Sequence, residues 1–495
     1  MGAPLAPPDL SKCNIATSGA PVNNNICCPP YNMTEFIDYD FPHTPLRVRR
    51  PVHEVKDDNE YMAKYKEAVR KMKELKSDHP WNFYQQALVH CAYFTGARVH
   101  YSWHFLPWHR YYLHFFERIL GRLIDDDTFT LPYWNFDVKE GMTIPEIFTS
   151  DPNSPLYNEN SRNKNHYHPE ILDYRYAYIC GNPPCGSNKT GDELVQENMS
   201  YMQTTFMNSL QLPELFMRGL EGIHNSIHEF VGPTEYPHTD MGNFATAAKD
   251  CLFYSLHANV DRLWHLYRNF RGNRVEFNEP DWLDMSFIFY DEHERVVRVK
   301  VKDCLTPAKL RYTYEEVPMP WMGSLNVQKT KETRRKQDLN LLRISEFGTQ
   351  PRELGTTPLR VMVPRPKKNR KKKDKDENVE LLQIKDIQVE SHGPARFDVF
   401  VTAPYRDLAV PDFGEFAGSF VKLPHKLKME EGNNGVEKHK GKKTSLKLSL
   451  TALLEDIEGE DADNLVVTIV PAVGNITIGG IQIKLVQADS PKLVG

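Results

Sequence analysis

Histidines are the residues whose types and spacing carry chemistry in this chain. Four of them crowd into VHCAYFTGARVHYSWHFLPWHR: His90, His100, His104 and His109, with Trp, Tyr and Phe between them. Farther on, HNSIH places His224 and His228 four residues apart. On a helix that spacing puts both imidazoles on one face, close enough to share one ion. His257 follows in an apolar stretch, four residues before Asp261. A lone histidine there is normally a satisfied core residue, but three on two neighbouring helices form a coherent ligand set. The zinc-protease pattern H-E-x-x-H is absent, because position 225 is Asn. Three imidazoles per ion, with no thiolate or carboxylate, suit copper, zinc or iron. Two such sets among aromatic residues favour a pair of copper ions that handles oxygen, and helix bundles build such sites from inward-facing side chains.

The surrounding pattern supplies those helices. Residues 57–76 read as an amphipathic helix with an acidic start and a Lys-rich end. Residues 81–92, 108–123, 214–230 and 250–270 read as four buried helices carrying histidines, and 125–190 as long loops. The expected architecture is a mainly α domain over 1–344, a four-helix bundle with long loops. After about 275 the periodicity changes, and short strands are expected at Ser286–Asp291, Arg295–Val301 and Lys309–Glu315 within 275–325. Residues 345–356, containing GTQPRELG, read as a linker and the expected cleavage region. Alternating strands follow at Leu359–Val363, Leu381–Glu390, Ala395–Thr402, Thr444–Leu450, Asn464–Ile469 and Gly480–Val486. The expectation is an all-β sandwich over 357–495. The Lys-rich stretch 367–378 reads as a solvated loop, with a protease-sensitive site or an anionic docking patch as the alternatives.

A net charge of −5 over 495 residues argues against a dedicated nucleic-acid binder, and no apolar run is long enough to span a membrane. The Met1-Gly2 start carries no apolar signal core, so any targeting peptide is expected to have been removed. Cys13, Cys27 and Cys28 lie in residues 1–35, which show little regular pattern. Disulfides among them and to Cys91 would staple that segment in an oxidising compartment. Four unrelated thiols are the other reading. Cys180 and Cys185 could close a local disulfide. N-x-S/T acceptors occur at Asn32, Asn188, Asn198 and Asn475.

Longer motifs now matter: VHYSWHFLPWHRYYLHFFERILGRLI, DDTFTLPYWNFD, HNSIHEFVG, DMGNFATAAKDCLFYSLHANVDRLW, EPDWLDMSFIFYDE and RFDVFVTA. Through them nearly the whole chain resembles the plant polyphenol oxidases (catechol oxidase and tyrosinase), which are type-3 copper enzymes. The resemblance implies two copper ions per chain, copper A on His90, His100 and His109 and copper B on His224, His228 and His257. It implies oxidation of o-diphenols to o-quinones with O2 reduced to water, in a form kept latent by the C-terminal domain. Phe244 matches the aromatic gate, with Asn225 and Glu229 at the substrate pocket and Glu221 near the position of a water-orienting glutamate. Cys13 with Cys28, and Cys27 with Cys91, match two disulfides of the family. Asp261 and Arg262 read as a structural ion pair. Small phenols and O2 are the expected partners, with the chain a monomer or weak homodimer. The expected location is the plastid, in the thylakoid lumen; the vacuole or secretory route is the alternative.

The chain also departs from its family. Phe94 stands where relatives carry the cysteine that forms a thioether to a copper A histidine, so no thioether is expected. The segment between His90 and His100 is shorter than usual, although ten residues still reach roughly 30 Å when extended. Glu221 lies three residues before His224 rather than four, and one residue turns a helix position by about 100°. That shift bears on monophenol hydroxylation. The alternatives left open are a specialised plant oxidase or hydroxylase, tyrosinase-like or aurone-synthase-like, and a site-impaired paralogue without turnover.

Overall fold

The computed structural model describes residues 14–16, 26–28, 35–41, 43–95, 99–100, 102–159, 162–176, 186–187, 189–207, 209–210, 212–235, 238–322, 344–389, 395–403, 415–422, 443–451, 453–457 and 459–488. The N-terminal part begins with the hairpin β1 (Asn14–Ala16) and β2 (Ile26–Cys28), then β3 (Ile37–Asp38) and β4 (Arg47–Arg49). Helices α1 (Val52–Val55), α2 (Asn59–Glu74), α3 (Phe83–Thr95) and α4 (Phe105–Leu123) follow. Short turns and loops lead to α5 (Gly191–Met207), α6 (Pro213–Val231) and α7 (Cys251–Phe270).

Local chemistry sets these boundaries. Asp58 caps α2 by accepting the Tyr61 amide at 3.1 Å, and Asp250 caps α7 by accepting the Leu252 amide at 2.8 Å. Pro213 opens α6, where its missing N–H costs nothing. Tyr65, Ala68, Val69 and Met72 form the buried stripe of α2. Helix α4 is buried from Phe105 to Gly121, and α7 is buried along most of its length. These two are therefore core helices wrapped by the others.

Helix α8 (Pro280–Leu283) leads into β5 (Ser286–Tyr290), β6 (Val296–Lys300) and β7 (Tyr312–Tyr314). Strand β3 joins β6 and β5 in one small sheet, and β4 pairs in parallel with β7. The chain beyond forms two sheets. One runs β13 (Glu415–Lys422), β12 (Ala395–Thr402), β15 (Asn464–Val473), β10 (Leu359–Pro364), β8 (Ser345–Glu346). The other runs β14 (Thr444–Ser449), β11 (Asn378–Val389), β16 (Ile476–Ile478), β9 (Arg352–Leu354), with β17 (Gly480–Gln487) also on β11. Val361, Val399 and Val467 of the first share one core with Leu382, Ile384 and Ile476 of the second. Two sheets over one apolar layer make a sandwich, so the chain is a helical unit followed by a β unit.

Several expectations are corrected. Helix α5 was not foreseen, nor were β13 and β16. The expected linker 345–356 holds β8 and β9 at its two ends, each pairing with a sandwich sheet. The Lys-rich loop contains helix α9 (Lys372–Glu377), and much of its charge is paired: Lys367 with Asp374, Lys368 with Asp463 and Lys375 with Glu460. Arg370 is buried and also bonded to Asp374. A free anionic docking patch does not fit that pairing. Asn198 lies inside α5, 2% exposed, and donates to the Leu172 carbonyl at 2.6 Å, so it is closed to glycosylation. Asp261 and Arg262 do not pair with each other, because consecutive helical residues point in different directions. Asp261 pairs with Arg110 and Arg49, and Arg262 with Asp137. Among the described residues no helix is long and apolar enough to cross a membrane.

Candidate dicopper site

The bundle brings six of the singled-out histidines together. His90 sits on α3, His109 on α4, His224 and His228 on α6, and His257 on α7; His100 lies between α3 and α4. Nitrogen atoms of His90, His100 and His109 all lie within 4.8 Å of one another, as do those of His224, His228 and His257. All six residues are at most 5% exposed. The triads face each other: the His109 and His257 rings stack at 4.2 Å, and His100 and His224 at 6.3 Å.

Hydrogen bonds at the outer nitrogens aim the inner ones. His109 Nδ1 donates to the Phe105 carbonyl at 2.7 Å, one helical turn back. His228 Nδ1 donates to the Met241 carbonyl at 2.8 Å, and His224 Nδ1 to Asn225 Oδ1 at 2.9 Å. Each bond selects the tautomer whose Nε2 carries a lone pair for a metal. Nε2 of His109 and of His228 is buried without a hydrogen-bond partner, and His224 Nε2 lies 3.0 Å from His257 Nε2. Buried imidazole nitrogens without a partner, as at His109 and His228, are what a metal ion would satisfy, and the all-imidazole donor set fits copper.

Burial dominates the protonation of this cluster. It lowers His109 to about 3 and His228 to about 4, and holds His90, His100, His224 and His257 well below the ordinary histidine value. Neighbouring imidazoles add to the burial effect at the last four. The neutral form is the ligand form.

Phe244 stacks on His100 at 4.6 Å with 19° between the planes, and lies 5.8 Å from His228. It is 4% exposed. Asn225, Glu221 and Glu229 are all buried on α6, the helix that carries His224 and His228. His104 joins neither triad. It ends the turn before α4, with its ring against Trp103 and Phe287. Cys91, next to His90, is buried and disulfide-bonded, while Cys251 and Cys304 are free. The side chains of Cys13, Cys27, Cys28, Phe94, Cys180 and Cys185 lie outside the described residues.

Gly232 matters because α6 must stop against the segment that holds His228. A Cβ there would collide with the Gly242 backbone, next to Met241. Sequence reasoning missed the ion network behind the site. Asp261 accepts from Arg110 Nε at 2.5 Å and from Tyr312 at 2.6 Å, tying α7 to α4. Asp137 accepts from Asn259 at 2.9 Å, from Arg262 and from Trp321. Charged residues inside apolar helices were the available signal, but their partners are far away in sequence.

Comparison with known proteins agrees with this geometry. Residues 80–270 match the common central domain of tyrosinase, 276–325 the polyphenol oxidase middle domain, and 350–485 the chloroplastic polyphenol oxidase C-terminal domain. A chloroplastic polyphenol oxidase of Vitis vinifera is 40% identical, covering 98% of this chain and 83% of that protein. Aureusidin synthase of Antirrhinum majus is 39% identical, covering 97% and 89%. Among solved structures, latent apple tyrosinase superposes with a TM-score of 0.78 at 37% identity, covering 91% of this chain and all of that one. Latent aurone synthase superposes with 0.81 at 33% identity, covering 98% and 100%. With two buried histidine triads in the helical unit and a matching β unit behind them, the chain belongs to the plant polyphenol oxidase family and is a copper oxidoreductase acting on phenols.

Proposed function

We propose that this chain oxidises o-diphenols to o-quinones, two diphenols per O2, with the oxygen reduced to two waters. The observation that carries the reading is the pair of facing triads. His90, His100 and His109 would hold copper A, and His224, His228 and His257 copper B. Copper held there would supply the redox chemistry that couples oxidation of the diphenol to reduction of O2. The protein's own part is positioning. The outer-nitrogen bonds from His109, His224 and His228 hold three imidazoles in the ligating tautomer. Burial keeps all six neutral and excludes water. Phe244, stacked on His100, offers the ring face against which an aromatic substrate would lie. Asn225 and Glu229 line the same pocket, Glu221 stands one turn below His224, and no thioether is expected. Cys27 is the partner we assign to Cys91, with Cys13 bonded to Cys28.

Latency is part of the same proposal. Every triad histidine is at most 5% exposed and Phe244 is 4% exposed, so access to the site is the step that latency would control. The C-terminal sandwich is the part we assign. Because β8 begins at Ser345, a truncation that removes the sandwich must end before it. The plastid is the coarse location, and the thylakoid lumen is the finer assignment.

The test is copper content and catechol turnover for the full chain and for a chain ending at residue 322, the last described before the β unit. Two coppers per chain, with turnover that rises on truncation, support the reading. One copper or fewer, and no quinone from either form, overturn it. Aureusidin synthase is nearly as similar as the grapevine enzyme. A panel of mono- and diphenols therefore decides between a general catechol oxidase and a specialised one.

A further inference from the structure

Among the described residues, charged and aromatic side chains join the helical and β units. Arg175, in the loop before α5, reaches both units. Its guanidinium pairs with Glu197 of α5 at 3.1 Å and with Asp398 of β12 at 3.4 Å. It also lies 5.4 Å from the ring centre of Phe400 and 5.3 Å from that of Phe416. Asp398, 8% exposed, is shared with Arg396 Nε at 3.2 Å and the Ser419 hydroxyl at 2.5 Å. Arg396 is 1% exposed and donates back across the boundary to the Tyr176 carbonyl at 3.1 Å. Tyr201 of α5 packs on Phe416 at 4.9 Å. A second contact sits at the start of α6: Lys447 meets Glu214 at 2.8 Å, and Arg218 donates to the Ser445 carbonyl at 3.0 Å.

These two contacts differ in strength. The Glu214 pair is partly exposed, and such pairs contribute little. The Asp398 cluster is largely out of water, so removing one member strands the others. Burial pushes the Asp398 carboxyl up, but Arg396 and Arg175 outweigh it and hold the group below the ordinary carboxylate range. Arg175 adds a planar face for two aromatic rings, which an ammonium would not supply. Helix α6, against which β13 and β14 pack, also carries His224 and His228. The β unit is thus anchored beside the copper B helix.

We propose that Arg175 is the keystone of a polar clasp with Asp398, Glu197 and Phe416 that holds the sandwich on α5 and α6 and so sets how latent the enzyme is. This deepens the phenol-oxidase reading and rests on it. The clasp is polar, so it can open without unfolding either unit, which fits an interface built to separate.

The test uses the full, uncut, copper-loaded chain with Arg175→Gln, Asp398→Asn and Phe416→Leu, and Lys447→Met at the outer contact. Hydrogen exchange over 191–207 and 395–402 reads separation directly, and catechol turnover reads its consequence. Arg175→Gln and Asp398→Asn are expected to speed exchange in both segments and raise uncut turnover about ten-fold, with copper content unchanged. Lys447→Met should change either by less than about two-fold. If Arg175→Gln fails to fold, Phe416→Leu carries the same expectation. Wild-type exchange and wild-type turnover in Arg175→Gln, Asp398→Asn and Phe416→Leu, with the truncated chain active, overturn the clasp. If the truncated chain makes no quinone, the oxidase reading fails instead, and exchange alone still decides the clasp.

Discussion

The two triads reach the same closeness of nitrogen atoms by different routes. The triad assigned to copper B is assembled by helix periodicity: His224 and His228 come from one face of α6, and His257 from the neighbouring α7. The triad assigned to copper A draws only His90 and His109 from helices, and takes His100 from the short segment between them. His224 and His228 are aimed by hydrogen bonds to Asn225 and Met241, whereas His100 is flanked by the rings of Phe244 at 4.6 Å and Phe105 at 5.7 Å. One half of the site is therefore held by secondary structure and the other partly by tertiary packing. The half held by packing should be the more easily loosened.

The largest effect should come from removing a ligand on either side. His257→Ala and His100→Ala should each lower copper from two ions per chain to one and abolish catechol turnover. Metal analysis of the purified variants checks this. If His100→Ala keeps both ions, the loop histidine is not a ligand and the two halves are less alike than drawn here.

Acid should strike both halves together. His109 (about 3) and His228 (about 4) lie well below the usual 6.5, with burial as the main cause. A folded value below the unfolded one means stability that is complete above about pH 6.5 and lost as pH falls toward 4. Each of the two should remove about 2 kcal/mol between pH 7 and pH 5 from the copper-free chain. Urea midpoints at the two pH values measure it, and an unchanged midpoint would contradict the neutral-imidazole account.

Asp261 ties the halves to each other through Arg110 of α4, and also accepts from Tyr314. Asp261→Ala strands buried Arg110, while Arg49 keeps Glu117 at 2.8 Å, and should cost about 3–5 kcal/mol. Denaturant unfolding should show that loss, with both copper sites weakened. A change confined to copper B would mean that α7 moves without α4.

Asn225→Ala separates the halves. It removes the acceptor for His224 Nδ1, and losses of about 10–100-fold in metal affinity are typical for such partners. Competition with a copper chelator should show copper B weakened and copper A unchanged.

Much of this was legible because periodicity carries it. The helices bearing His224, His228 and His257 end within a few residues of where the apolar pattern places them, and strand Ala395–Thr402 is placed to the residue. Helix α5 was hard to read because polar Asn198 shares its buried face, with Thr204 and Thr205 beside it in the chain. Leu194, Val195, Met199 and Phe206 pack inward, while Tyr201 is spent on Phe416 of the sandwich. Strands β8 and β9 were hidden by their length, two and three residues inside a Pro- and Gly-containing stretch. The partners of Asp261 and Arg262 were invisible because Arg110, Arg49 and Asp137 are brought in by tertiary packing. His104 sits on a turn at the edge of α4, and spacing alone could not separate it from His100 or His109.

The smallest expected effect probes the weaker half most directly. Phe244 covers His100 with a nearly parallel ring, a contact worth about 0.5–1.5 kcal/mol beyond area burial. Phe244→Leu keeps most of the volume and removes the stacking. Copper A affinity should then fall by less than about ten-fold, while copper B, whose histidines keep their Asn225 and Met241 bonds, holds its affinity. The same change removes the aromatic face offered to substrate, so KM for catechol should rise more than kcat falls. Equal weakening of both coppers would mean that Phe244 supports the whole site through packing. Copper A would then be no more dependent on a ring contact than copper B is.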